Sequence, residues 1–293
     1  MATPYDTIDS IFVKQYSDTF IAMLGKVEST FLSTVTNVGQ VTGTSFTANE
    51  ILNTLGEVQA GVERFGATQY SDVSFASRVA LMNDYPSFTR NAIQDFYKLK
   101  ADPSDRQLTY LRQKWNKHVD KTIYNALLGD AQRKVTGADT YTAVPLPASQ
   151  ILGDVAQPIT KQLLIDIKTK FLENEVDEEV YLTYNAAMLN AILADKELTS
   201  ADYLNGQMLQ RGEIQNFLGF NWIHTEMIKS ADGLSATGVA YTRNSVEVGI
   251  NNISPLKIVE VETQNRFHSI GHIEAIGAMR VSEQRVVAFK FKV

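Results

Sequence analysis

The chain's scarce metal ligands are His118, His224, His268 and His272, since cysteine is absent. His268 and His272 stand four apart, a spacing that on a helix would turn two imidazoles toward one ion. The pattern from Phe267 to Met279 predicts a strand instead, where four residues span roughly 13 Å. Paired strand residues with ordinary hydrogen bonds are therefore expected there. Gly56 to Gly61 has the spacing of a phosphate loop, but Val62 and Glu63 follow where Lys and Ser or Thr are required, and Gly25-Lys26 runs into Val27. Ser235, in Gly233-Leu-Ser-Ala-Thr-Gly238, sits in a segment one residue too long for a nucleophile elbow. The acidic run Glu173, Glu175, Asp177, Glu178, Glu179 has donors for calcium, yet a solvated turn is the commoner outcome of such a run. None of these groups reads as an enzyme, and no cofactor or metal is expected.

With 293 residues, 44% hydrophobic and 20% charged, the chain can bury one large core or two smaller ones. Absence of cysteine excludes disulfides and thiolate chemistry and fits a reducing cytosol. A formal charge of −6 argues against nucleic-acid binding by the surface as a whole. Met1 to Lys14 carries Asp6 and Asp9 and does not look like a secretory signal. No apolar run approaches the roughly 20 residues of a membrane helix, so a soluble chain without a membrane partner is expected.

Apolar residues at helical spacing (Ile8, Ile11, Phe12, Phe20, Met23, Leu24) predict one or two amphipathic helices within 7–33. From Val35 to about Ala80 the only charges are Glu50, Glu57, Glu63, Arg64, Asp72 and Arg78, and glycines recur, which reads as extended, hairpin-like chain. Val73, Phe75, Val79 and Leu81 alternate with Ser74, Ala76, Ala80 and Met82, predicting a strand with one packed face. A capping box at Thr47 to Glu50 makes a short helix at 48–55 the local competitor.

The clearest element is a helix over 103–128, with Asp102 as N-cap, Pro103 in the first position and Gly129 as its stop. Leu108, Leu111, Trp115, Val119, Ile123 and Ala126 form its apolar stripe, and the helix should be a beam roughly 40 Å long. Lys134 to Pro158 reads as a loop or boundary. Beyond it, helices at 160–173 and 185–194 alternate with strands at 180–183 and 220–224, and strands dominate 256–293. The fold class is α+β.

Two features point to function. Lys98, Lys100, Arg106, Arg112, Lys114, Lys117 and Lys121 outnumber the acids along the long helix and its lead-in. This is either a solvated face with pairs such as Lys117 with Asp120 or a surface facing polyanion. The Gly-rich, weakly charged segment of some 40 residues, with no helix to cover it, should lie on a neighbouring subunit, because a two-stranded excursion is marginal alone. An obligate assembly protein follows.

At this point the residues resemble a family. Leu52-Asn-Thr-Leu-Gly-Glu-Val-Gln, Arg64, Val73 to Tyr85, Ile93-Gln-Asp-Phe-Tyr-Lys98 and Ala101-Asp-Pro-Ser104 are similar to the major capsid proteins of tailed bacteriophages, which have the Hong Kong 97-type shell fold. Leu198-Thr-Ser-Ala-Asp-Tyr-Leu204, Arg211-Gly-Glu-Ile214 and Phe217-Leu-Gly-Phe-Asn-Trp-Ile-His224 resemble the run through their axial domain, and Gly277-Ala-Met-Arg-Val281 with Val286 to Phe291 resembles their ending.

The resemblance implies an N-terminal arm at 1–36, an extended loop at 37–80, and a peripheral domain at 81–158 with a spine helix at 103–128. An axial domain at 159–250 and strands at 251–293 returning to the peripheral domain complete the layout. It implies inter-subunit contacts through Phe46, Glu57, Glu63, Arg64, Tyr70, Asp72 and Arg78, spine packing by Leu108, Leu111, Trp115, Val119 and Ile123, and a lumen-facing basic set of Arg112, Lys114, Lys117 and Lys121. It further implies pentamers and hexamers closing an icosahedral head around double-stranded DNA, assembled in a host bacterial cytoplasm with a portal ring. An encapsulin-like compartment shares the fold, and a soluble ligand-binding module is the alternative of a different class. The founding member is cross-linked through a lysine on its extended loop, but no lysine lies between Lys26 and Lys98, so a non-covalent shell is expected. The arm pattern begins near Thr7, so a separate scaffolding protein is expected in place of a built-in scaffold segment, and the resemblance further implies a procapsid that expands.

Overall fold

Strands that are distant in sequence meet in three sheets around one long helix. The computed structural model describes residues 28–52, 74–96, 104–194, 216–262 and 266–293. Sheet A runs β1 (Thr36–Gln40), β12 (Val246–Val261), β13 (Phe267–Arg280), β4 (Asn83–Ala92). Sheet B runs β2 (Ser45–Ile51), β3 (Phe75–Leu81), β5 (Ala131–Val135), β6 (Thr142–Val144). Sheet C runs β7 (Ile151–Gly153), β14 (Val286–Lys292), β11 (Ser235–Thr242), β8 (Val180–Tyr184), β10 (Phe220–His224), β9 (Asn216–Phe217). Helices α1 (Ser104–Leu128), α2 (Lys161–Glu173) and α3 (Ala186–Ala194) pack on these sheets.

Helix α1 forms where the apolar spacing predicts. Leu111, Trp115, Val119 and Ile123 are buried; Leu108 is only half-buried, and Leu127 rather than Ala126 closes the stripe. The stripe faces Phe31, Tyr241, Val246, Val248 and Ile276, making one core between α1 and sheets A and C. A second core lies between α2, α3 and sheet C, built from Leu164, Ile167, Phe171, Leu182, Phe220, Trp222 and Phe289. Thr160 caps α2 by accepting from the Leu163 N–H at 3.2 Å, as a β-region N-cap threonine should. In β11, Gly238 leaves room for the Phe289 ring, which would stand 2.1 Å from any added Cβ. The Leu218–Gly219 turn between β9 and β10 has positive φ at both residues, 55° and 74°, the mirror-image turn that matches strand twist.

Ser45–Ile51 is a strand, as the extended reading expects, and its local competitor, the capping box at Thr47, loses to cross-strand pairing with β3. Other expectations need correction. The presumed two-stranded excursion is part of a four-stranded sheet, because β3 also pairs with β5 of the hairpin that follows α1. Thr36–Gln40 belongs to sheet A, parallel to β12, and so stands apart from the extended segment that was to begin at 37. The segment 134–158 is no plain loop: it carries β6 and β7 and crosses from sheet B to sheet C. Of the last strands, β12 and β13 pack on α1, but β14 joins the middle of sheet C between β7 and β11. The amphipathic pattern at Ile8 to Leu24 and the phosphate-loop spacing at Gly56 lie outside the described residues.

Asp120 also departs from expectation. It does not serve a solvated pair with Lys117; it is buried and accepts from the Ser29 hydroxyl and the Thr30 and Phe31 N–H groups, the latter two at 3.0 Å. This fixes the chain before β1 to the middle of α1. Asp120→Ala removes the acceptor and leaves those donors without it, so unfolding in urea is expected to lose about 1–3 kcal/mol.

Candidate functional site: the ribbon, its buried clamp and the basic helix face

Parity decides what β2 and β3 present. In β3, Ala76, Arg78 and Ala80 are buried, whereas Phe75 is 54% and Leu81 65% exposed. The alternation predicted from sequence is present, but its faces are reversed. The large apolar residues point away from the chain, joined by Ile51, 64% exposed and directly opposite Phe75. The other outward residues of the pair, Ser45, Thr47, Asn49, Ser77 and Val79, carry no charge. Where β2, β3 and β5 end, an open groove of about 630 Å³ is lined by Ile51, Phe75, Lys134 and Val135 among others.

What holds this inverted ribbon is Arg78. Its guanidinium has no solvent exposure; it donates to both carboxylate oxygens of Glu50, each at 2.8 Å, to Glu283, and to the Arg280 carbonyl at 3.1 Å. Burial opposes its charge, but the hydrogen bonds and attraction of Glu283 and Glu50 outweigh that and hold it above its ordinary value. Arg280, equally buried, donates to the carbonyls of Leu127 and Gly129 at the end of α1 and to Val144 on β6. A cation at a helix C-terminus satisfies carbonyls that have no intrahelical partner. Burial favours the neutral form of Glu283, yet Arg78 and Arg280 hold its carboxyl below the usual range. The clamp thus ties sheet B, the end of α1 and β13 together.

Arg78 was expected to contact a neighbour; with every guanidinium nitrogen committed within the chain, it cannot. Phe46 packs over Gly249 of β12, its ring 2.9 Å from where a Cβ would stand. Glu57, Glu63, Arg64, Tyr70 and Asp72 lie outside the described residues. On α1, Lys114, Lys117 and Lys121 recur at steps of three and four and are all exposed on one face. Arg112 is exposed too, but two residues before Lys114 it projects about 200° around the helix. Sequence reasoning missed Glu50, Arg280, Glu283 and Asp120. The one available signal was an arginine sharing parity with two alanines in β3, where no small residue needs a charged companion.

His268 and His272 lie on β13 as predicted, and among the described residues no cluster of three or more His, Asp or Glu is arranged to hold a metal ion. Contrary to the expected ordinary hydrogen bonds, His272 is buried with neither ring nitrogen partnered. Glu178 of the acidic run bonds Asn244 and pairs with Arg285 at 3.4 Å, tying the run to the start of β14. No helix among the described residues is long and apolar enough to cross a membrane.

A three-sheet fold with a long helix, an outward apolar ribbon and no catalytic cluster among the described residues can now be set beside known proteins. The family model for phage capsid proteins matches residues 8–293. The chain belongs to the phage capsid protein family. This capsid protein is a structural component of the virion and not an enzyme. Its fold is similar to the capsid of an empty GTA particle, with a TM-score of 0.70 at 11% identity over 96% of this chain and 95% of that one. The capsid of Ralstonia phage GP4 gives 0.68 at 10% over 96% and 95%, and Mycobacterium phage Cain gives 0.63 at 16% over 100% and 99%. At such identities the likeness is one of fold, the Hong Kong 97-type. No curated protein matches the chain.

Breaking the clamp is expected to cost more than it contributes. Arg78→Met leaves Glu50 unpaired and Glu283 with Arg280 alone, and should lose about 3–5 kcal/mol in urea unfolding, while adding Glu50→Gln and Glu283→Gln should recover most of it. Because the folded pKa of Glu283 is depressed, its contribution is present above the ordinary carboxylate range and lost as pH falls through it. Glu283→Gln should flatten the stability profile between about pH 5 and 3.

Proposed function

We propose that this capsid protein assembles into pentamers and hexamers that close an icosahedral head around double-stranded DNA, held by non-covalent contacts. The observation that carries this reading is the uncharged outward face of β2 and β3, with Ile51, Phe75 and Leu81 each more than half exposed. Such a face costs free energy in water and gains it when a neighbour covers it, at roughly 25 cal/mol per Å² of apolar surface removed from solvent. The chain between Lys26 and Lys98 holds no lysine for an isopeptide link.

In this reading residues 1–36 are the arm, and the ribbon built on β2 and β3 is the extended loop lying across the next subunit. α1 with sheet A forms the peripheral domain, and sheet C with α2 and α3 forms the axial domain around vertices. The exposed Lys114, Lys117 and Lys121 line the lumen and offset phosphate charge without reading sequence. A separate scaffolding protein guides a procapsid that expands, and a portal ring occupies one vertex.

Electron microscopy of particles from cells expressing the chain with its scaffold should show closed shells of uniform size. Nuclease-protected DNA in heads from infected cells supports the phage reading, and enzyme cargo without DNA marks an encapsulin-like compartment. Phe75→Ser with Leu81→Ser should abolish shells yet change the stability of the single chain by no more than about 0.5 kcal/mol, since these side chains are already exposed. Neutralising Lys114, Lys117 and Lys121 to Gln should lower packaged DNA while shells still form; unchanged DNA content removes the lumen assignment.

A further inference from the structure

The seam between α1 and sheet A holds a concentration of buried polar atoms without partners. They are Nε2 of His118, both ring nitrogens of His272, and the Ser87 hydroxyl, with Ser87 directly opposite His272 across β4 and β13. Trp115 joins them: its ring centroid is 5.7 Å from that of His118 and 5.7 Å, edge-on, from that of His272. Tyr85 of β4 packs against His118 and Trp115, its ring centroid 4.1 Å from that of the first and 6.5 Å from that of the second. Native proteins seldom leave buried polar groups unpaired, and several within one aromatic contact call for an account.

We propose that Trp115, His118 and His272 form a proton-sensitive latch, closed while both imidazoles are neutral and loosening α1 from β4 and β13 when either takes a proton. The groups facing the two imidazoles come from α1, β4 and β13. From α1, Lys114 lies near His272 and Lys121 near His118, both repelling an imidazolium. From β4 come Tyr85 and Ser87, neither charged. From β13 comes Glu274, which is hydrogen-bonded by Trp115 and whose burial favours its own protonation as pH falls. Asp120 is occupied by Ser29, Thr30 and Phe31. Protonation therefore adds positive charge to a seam that already faces lysines.

The sign follows from linkage. Burial, then lysine repulsion, lowers both histidine pKa values in the fold. The closed seam is thus fully favoured above the ordinary histidine pKa near 6.5 and weakens as pH falls below it. The latch lies within one chain and needs no neighbour.

Hydrogen exchange on the full-length chain tests this, with rates corrected for their intrinsic pH dependence. Between about pH 7.5 and pH 5.5, amides of α1 should exchange faster, by on the order of tenfold, as the seam loosens. Amides of α2, which packs on sheet C and carries no histidine, should stay constant. His118→Gln with His272→Gln should remove the acceleration. Equal pH response in α1 and α2 of the unaltered chain overturns the proposal even where the double variant fails to fold, as does an acceleration that survives both substitutions.

Discussion

Two buried arginines hold this chain in a shape that its apolar residues alone would not choose. Large hydrophobic side chains on β3 ought to face inward, and Ala76 and Ala80 outward. Arg78 reverses this. Its guanidinium needs Glu50, Glu283 and the Arg280 carbonyl, and only one parity of β3 delivers it to them. A buried charge left unpaired is more costly than a few exposed methyl and phenyl groups. Electrostatics therefore sets the polarity of the ribbon, and hydrophobicity is left over for use elsewhere.

Arg280 carries the same logic into the rest of the fold. By donating to Leu127, Gly129 and Val144, it finishes α1 and aligns the β5–β6 hairpin that extends the ribbon into a sheet. At its other flank α1 is tied through Asp120 to Ser29–Phe31. The helix is a common strut to which the ribbon and the chain leading into β1 are both fastened. Its free face carries Lys114, Lys117 and Lys121.

Local signals made much of this legible. Helical spacing located α1, α2 and α3, with starts at Thr160 and Asn185 for the latter two, a period-2 run located β3, and β8, β10 and β13 stand where the sequence reads as strand. What could not be read was which face of a strand is inside, because Phe75, Val79 and Leu81 look like core whenever no long-range partner is known for Arg78. The placement of Thr36–Gln40 beside β12 depends on a pairing some 210 residues apart, and that of β14 in sheet C on its pairing with Ile151–Gly153 some 137 residues upstream, neither of which leaves a local trace. Asp120 fits a solvated pair with Lys117 by local spacing for the same reason: its donors sit some 90 residues upstream. The histidine seam was hidden because His118 and His272 meet only through packing of α1 on β13.

The span between clamp partners also sets an order in time. Arg78 and the Arg280 carbonyl it binds are 202 positions apart, a gap that takes a ribosome roughly 10 to 40 s to cross. Until then Arg78 has only Glu50 of β2 to pair with, and lacks Glu283 and the Arg280 carbonyl that complete the clamp. Contacts of such long sequence separation form slowly and late. The clamp that sets the parity of the ribbon is therefore completed only after the C-terminal strands have been made.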